Sequence, residues 1–498
     1  MRSRIFQENT RSLYNREQID DEMQMLLETL QTKIREADRE LHDKYCNDLV
    51  VNPDLDRKLV SFQANKHEQE SRWWKYKEGF SRALVQYIFD NTEMRSGRVL
   101  DPFSGSGTTL FTAVDRGIDS VGIELLPSSA ETIEVRQLLR TSNREEMTQK
   151  LRDFNHSRIW LQPSDRIELN YLKITNNAFP EETKYYVERY LYEIEQLNDR
   201  NVSRVLKFIL LCIAESISYT RKDGQYLRWD WRSGRNAGKN KFDKGKILDF
   251  TEAIDRKIEE VCSDLLGKNS SFLSTFIEQE RLGVLELIRG SCLNILPELE
   301  TSSFDGLLTS PPYCNRYDYT RTYSLELNLL GIGEEEIKNL RQEMLSCTVE
   351  NREKVHLINE NTRFKNAMFS CESHTLLNLI VAYLEQCREE KKLNNNGIPR
   401  MVKNYFREMA MTIFEATRLL KSNAPFVLVN DNVRYQGIHI PVDLILADFA
   451  KDAGLEVEKI WVLPRGKGNS SQQMGTHGRE EIRKCVYIWR KPFKNSKL

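Results

Sequence analysis

The 498-residue sequence predicts an α/β fold: one open sheet of seven strands, interrupted by two helical insertions. Three observations predict it. "GRVLDPFSGSGTTL" (97–110) passes from an apolar strand into a glycine turn, "TTLFTAVDRG" follows with helical spacing, and "GIDSVGIELLP" (117–127) is a second strand. Five later apolar runs supply the other strands: "VLELIRGS" (284–291), "SFDGLLTSPPY" (303–313), "APFVLVNDN" (424–432), "LEVEKIWVLP" (455–464) and "RKCVYIWRK" (483–491). Between them, 128–283 and 325–420 are charged and helical in pattern.

The chain divides accordingly into an N-terminal helical segment (1–60), a first sheet portion (61–127), an insertion (128–283), a second sheet portion (284–324), a second insertion (325–420) and the last strands (421–498). Within 18–48, Met23, Leu26, Leu27, Leu30 and Ile34 fall on one helix face, which is expected to pack on the body of the chain because the heptads are not sustained. Lys plus Arg number 73 against 74 Asp plus Glu, so any attraction to a polyanion must be local. No apolar run is long enough to span a membrane and the first residues lack a signal-peptide core, so a cytoplasmic protein without a membrane partner is expected. The nine cysteines form no CxxC pair and no cluster at metal spacing, so no metal is expected.

Gly105 and Gly107 let backbone approach a ligand that a Cβ would repel, and Thr108 and Thr109 open the next helix with exposed amides. A phosphate-binding P-loop would need a lysine that is missing, and GxGxxG is not met. Glu124, ending the second strand, is placed to accept from the two hydroxyls of a ribose. Each motif has a plainer reading: a strand-to-helix turn at 101–109, a strand-ending proline turn at 310–313, and a solvated carboxylate at Glu124. Their pairing at strand ends argues against those.

"DPFSGSGTT" resembles the cofactor motif of the amino-methylating (N4-cytosine and N6-adenine) DNA methyltransferases, and "TSPPY" (309–313) resembles their catalytic motif. "FQANK" and "RWWKYKEGFS" are similar to the family's segment at the methionine end of S-adenosylmethionine, and "GIELLP" to its ribose-binding strand. The resemblance covers about half the chain, the sheet and its turns. It implies a Rossmann-like class I methyltransferase sheet using S-adenosylmethionine, held by Lys77, Gly79, Phe80, Ser81, Asp101, Pro102, Phe103, Gly105, Ser106, Gly107, Thr108, Thr109, Glu124 and Leu125. It also implies duplex DNA as partner, a bacterial or archaeal restriction-modification or defence system with a possible cognate endonuclease, and a nucleoid-associated location. A serine before the prolines is the family's commoner choice for cytosine N4, so "TSPPY" favours cytosine over adenine.

The residues of "SPPY" suit amine chemistry on their own terms. A ring-conjugated amine is a poor nucleophile, and two prolines fix φ and carry no N–H, so the carbonyls of Ser310 and Pro311 can be held toward a substrate amine. Tyr313 can stack on a base turned out of the helix, with Ser310 and Pro312 completing the turn. Direct displacement is then mainly a matter of positioning. Carbon-5 methylation would need a Pro-Cys nucleophile, and none exists in the chain.

For DNA contacts the candidates are Arg221, Lys222, Tyr226, Arg228, Trp229, Trp231, Arg232 and Arg235 in a basic, aromatic segment, and Arg465, Lys467, Gln472 and Gln473 in "RGKGNSSQQMGTHGRE" (465–480). The alternatives are a solvated loop packed by its aromatics and a long hairpin turn. The cofactor motif precedes the catalytic one, which resembles the family arrangement with the recognition domain between the two motifs, so target recognition is expected inside one or both insertions; the commoner order of the N4-cytosine enzymes puts the catalytic motif first. RNA amino-group methylation and a catalytically silent nucleic-acid-binding subunit are the other readings of the same residues.

Overall fold

The computed structural model describes residues 2–56, 58–223, 226–235, 241–267, 282–360, 362–464 and 482–493. Among them are twelve strands: β1 (Leu49–Val51), β2 (Arg98–Asp101), β3 (Asp119–Glu124), β4 (Thr220–Asp223), β5 (Tyr226–Trp229), β6 (Leu285–Arg289), β7 (Gly306–Thr309), β8 (Pro425–Asp431), β9 (Val433–Tyr435), β10 (Ile438–Ile440), β11 (Glu456–Val462) and β12 (Lys484–Arg490).

Eight of them form one sheet in the order β1-β11-β12-β8-β7-β2-β3-β6. The pairs β6/β3, β3/β2, β2/β7 and β7/β8 are parallel, and β12 lies antiparallel between β8 and β11. All seven expected strands are present, but the sheet has eight. The addition is β1, which pairs parallel with β11 along three residues. So short an edge strand leaves no alternation to read, and Val50 and Val51 are exposed.

Parallel neighbours need crossovers, and helices supply them. α2 (Arg82–Thr92) precedes β2, α3 (Thr108–Val114) follows it, α4 (Pro127–Thr141) follows β3, and the helices Ile398–Leu419 and Val442–Asp452 flank β8. Alternate residues of each strand feed opposite faces. Leu307, Phe426, Leu428, Tyr487 and Trp489 pack under the late helices, whereas Val99, Leu308, Val427, Val486 and Ile488 pack with Leu84, Val85 and Ile88 of α2.

A second core lies between α4 and β6. α5 (Arg144–Ser157), α6 (Glu181–Glu195), α7 (Arg200–Ile213) and α8 (Phe250–Leu266) close around the buried Trp160, Tyr190, Phe208 and Phe250. Trp74 and Tyr323 join this core from the sheet portion. The first helix, α1 (Arg2–Tyr45), packs on the helix Thr375–Glu389, as expected. Leu27, Ile34, Leu41 and Tyr45 are buried along it and Leu30 packs partly buried against the same core, as the expected face requires, whereas Leu26, 46% exposed, falls outside that face.

Candidate active site

The glycine turn leaves the end of β2 and is fixed by its own backbone. Ser104 N donates to Ile123 O at 3.1 Å and Gly107 N to Ser104 O at 2.7 Å. Gly105 and Gly107 have φ of +53° and +79°, the region that favours glycine. A Cβ on Gly105 would stand 2.7 Å from the Tyr76 ring, so this glycine admits an aromatic wall against the turn.

Two acids are built into the turn. Glu124 accepts from Gly105 N at 2.6 Å and Leu126 N at 2.7 Å; burial nevertheless pushes its carboxyl up to about 8, against those donors. Asp101 accepts from Phe103 N at 3.1 Å and Thr309 Oγ1 at 2.6 Å, and burial pushes it up to about 6. The Thr309 bond ties the first motif to the residue before Ser310. Beneath the turn, Arg136 donates to Ser106 O at 3.0 Å with its guanidinium 3.8 Å from the Phe111 ring centre. Sequence reading missed this support, because a lone arginine in a helical pattern carries no motif.

Ser310 follows the end of β7. Its Oγ donates to Val429 O at 3.0 Å and stands 3.4 Å from the Tyr313 hydroxyl. With its proton on a carbonyl, that oxygen faces the cleft as an acceptor. Pro311 is buried, whereas Pro312 and Tyr313 are partly exposed, and burial and the charge of Asp431 raise the Tyr313 phenol. Cys314 is fully buried and burial raises its thiol, so it is not an activated nucleophile.

One cleft joins the motifs. Pro102, Phe103, Glu124 and Leu125 line it from the first, Ser310 and Pro312 from the second. Of its remaining walls, Tyr76, Ile123 and Leu126 lie within the segments likened to cofactor motifs without being singled out, and Gly290, Ser291, Cys292, Tyr319, Met344 and Leu345 escaped the sequence reading. The signal for Gly290 and Ser291 was available: they follow β6, which pairs with β3, and Gly290 N donates to Glu124 O at 3.0 Å. Tyr76 and Tyr319 lie outside any periodic pattern.

The segment before α2 divides in two. Tyr76 stacks on Tyr323 at 5.6 Å, Trp74 stacks on Tyr323 at 5.9 Å, and Glu78 accepts from the hydroxyls of Tyr317 and Tyr323. Gly79 is packed under the Tyr76 ring, and Lys77 donates to Lys222 O with its amine lowered by burial. Phe80 and Ser81, expected at the cofactor, face elsewhere. Phe80 lies in the core under α2, and Ser81 caps that helix, accepting from Leu84 N at 3.1 Å.

The basic segment is a hairpin, β4/β5, leading to a short 3-10 turn at Trp231–Ser233. Lys222 corrects the sequence reading: it is buried, pairs with buried Glu326 at 2.5 Å and lies 4.1 Å over Tyr323, so it is closed to a phosphate. Arg232 is held by Asp230 at 2.7 Å, Arg228 pairs with Asp223 at 3.2 Å, and Arg235 covers Trp229 at 3.7 Å while donating to Lys173 O and Asn176 O. Arg221 and Trp231 are exposed. The side chain of Tyr226, and Arg465, Lys467, Gln472 and Gln473, lie outside the described residues.

No helix among the described residues is long and apolar enough to cross a membrane, and none of their His, Cys, Asp and Glu side chains gather into a metal-binding group of three. A family model described as DNA methylase, for N6 and N4 methyltransferases, matches residues 6–135. The chain is 52% identical over 461 residues to the Type II methyltransferase M.AvaI of Nostoc sp., covering 92% of this chain and 94% of the relative, and the protein of that name from Anabaena variabilis matches equally. It is 41% identical over 481 residues to the Type II methyltransferase M.BsoBI of Geobacillus stearothermophilus, covering 91% of each. No solved structure matches.

Proposed function

The chain belongs to the amino-methylating DNA methyltransferases, and from that premise we propose that it methylates the exocyclic N4 of cytosine at a specific site in duplex DNA. Its setting is a restriction-modification system, where a cognate endonuclease would cut the same site when unmethylated. The observation that carries the reading is the single cleft lined by Glu124 and Phe103 on one side and Ser310 and Pro312 on the other.

The residues of the glycine turn suit S-adenosylmethionine. Gly105 leaves no Cβ between the turn and Tyr76, and each Glu124 oxygen, already accepting one backbone N–H, keeps a lone pair for a ribose hydroxyl. When bound, S-adenosylmethionine supplies an electrophilic sulfonium methyl. Pro102, Phe103, Glu124 and Leu125 would hold it, with Asp101 bracing the turn from behind. The carbonyls after β7 and the Ser310 oxygen, its proton committed to Val429, accept from the cytosine amine and turn its lone pair toward the methyl. Tyr313, partly exposed with its hydroxyl 3.4 Å from Ser310 Oγ, would offer a face to the extruded base, and Tyr319 lines the cleft. A serine at 310, and the inert Cys314 thiol, support N4 over adenine N6 and over carbon 5 respectively.

Nucleoside mass spectrometry of DNA from cells expressing the chain tests this, with a Pro312→Ala, Tyr313→Ala double variant as control. N4-methylcytosine present with the wild type and missing with the variant is the expected result. N6-methyladenine in its place would move the substrate to adenine, and neither product would end the DNA-modifying reading.

A further inference from the structure

Three residues beyond Tyr313, Arg316 sits with φ at +65°, in the left-handed region that non-glycine residues rarely occupy. The turn that imposes this is closely held. Asn315 N donates to Tyr313 O at 2.7 Å, Tyr317 N to Asn315 Oδ1 at 3.2 Å, and Tyr435 OH to Cys314 O at 2.8 Å. A glycine would take this conformation without strain, yet the position carries a long cation.

That cation is poorly matched within the protein. Among the described residues its side chain makes one hydrogen bond, to the neutral Asn394 Oδ1 at 3.0 Å, its Nε is buried without a partner, and no carboxylate pairs with it. Asp318, two residues on, is engaged with Arg341 at 3.1 Å. A guanidinium left with spare donors at the rim of the catalytic turn suits a bidentate anion.

We propose that Arg316 is a phosphate clasp, a positioning residue that binds a backbone phosphodiester beside the target nucleotide and so aligns that nucleotide with Ser310 and Tyr313. The inference rests on the DNA-methylating reading and adds a contact outside the basic hairpin. Arg316 exchanges Asn394 for the diester when DNA binds.

The test is equilibrium binding of the full chain to a target duplex across salt concentrations, which needs no methyl transfer. Arg316→Gly keeps the turn and removes the charge. The slope of log affinity against log salt is expected to fall by about 0.9, so that from 50 to 200 mM salt the wild type loses about 3.5-fold more affinity than the variant. Arg316→Lys should restore the slope, Asn394→Ala should leave it unchanged, and S-adenosylmethionine binding should be unaffected throughout. A duplex with one neutral methylphosphonate beside the target cytosine should weaken wild-type binding and leave Arg316→Gly indifferent. A wild-type slope in Arg316→Gly, or the same loss in Asn394→Ala, overturns the clasp and makes Arg316 a structural tether. Binding without methylation would defeat the functional reading while the slopes still decide the clasp; a wild type that binds no duplex overturns both.

Discussion

Glu124 carries a carboxyl that its surroundings discourage from ionising. Burial raises it to about 8, although two backbone N–H groups favour the anion. Two ribose hydroxyls would add donors to the charged form, so binding a nucleoside should draw the proton off. S-adenosylmethionine affinity is therefore expected to rise with pH from 6 to 8, by up to about tenfold per unit, and then level. Calorimetry across that range checks it, with Glu124→Gln expected to bind weakly and without the slope. The same proton sets stability: between the ordinary glutamate range and pH 8 the folded chain holds a proton that the unfolded chain has released. Stability of the ligand-free protein should thus fall as pH rises through that window, with Asp101 adding to the fall up to about pH 6.

At the scale of elements, the β4/β5 hairpin is fastened to the body by a charge that its sequence offers to solvent. Lys222 reaches Glu326 at 2.5 Å with both side chains buried, and burial raises the Glu326 carboxyl. Removing one partner strands the other, so Lys222→Met should destabilise the fold by about 3–5 kcal/mol, and adding Glu326→Leu should recover most of that. Denaturant unfolding measures both, while the salt dependence of DNA binding should not change in the double variant. This pair also marks how far the sequence could be read. The glycine turn and the proline turn were legible because each combines a strand end with residues whose backbone properties are local. Lys222 was not, because a lysine in a cationic run looks the same whether solvated or paired with a helix 104 positions away. Ser81 reads ambiguously for a similar reason, a helix cap and a ligand contact both calling for a hydroxyl before an apolar run, and the cap is what its side chain makes. Tyr76 and Tyr319 became part of the cleft through tertiary packing, which no period encodes.

For the whole molecule, the unexpected eighth strand explains what the N-terminal helix does. α1 delivers β1 to the edge of β11 and lays Leu27, Ile34 and Leu41 on the late helices, with Gln31 donating to Tyr383 OH at 2.9 Å and Tyr45 to Asp448 at 2.6 Å. Deleting residues 1–52 should expose both the unpaired edge of β11 and the apolar surface of the late helices that Leu27, Ile34 and Leu41 cover. Size-exclusion chromatography and thermal melting of the truncated chain are expected to show oligomers and a lower Tm. The Thr309 to Asp101 hydrogen bond has a consequence in time as well as in space. Its partners are 208 residues apart, so at about 5–20 residues per second the ribosome makes them roughly 10–40 s apart. A nascent chain therefore carries the glycine turn without the proline turn for that interval, and the cleft, whose walls run on to Leu345, can close only after the second motif has been made.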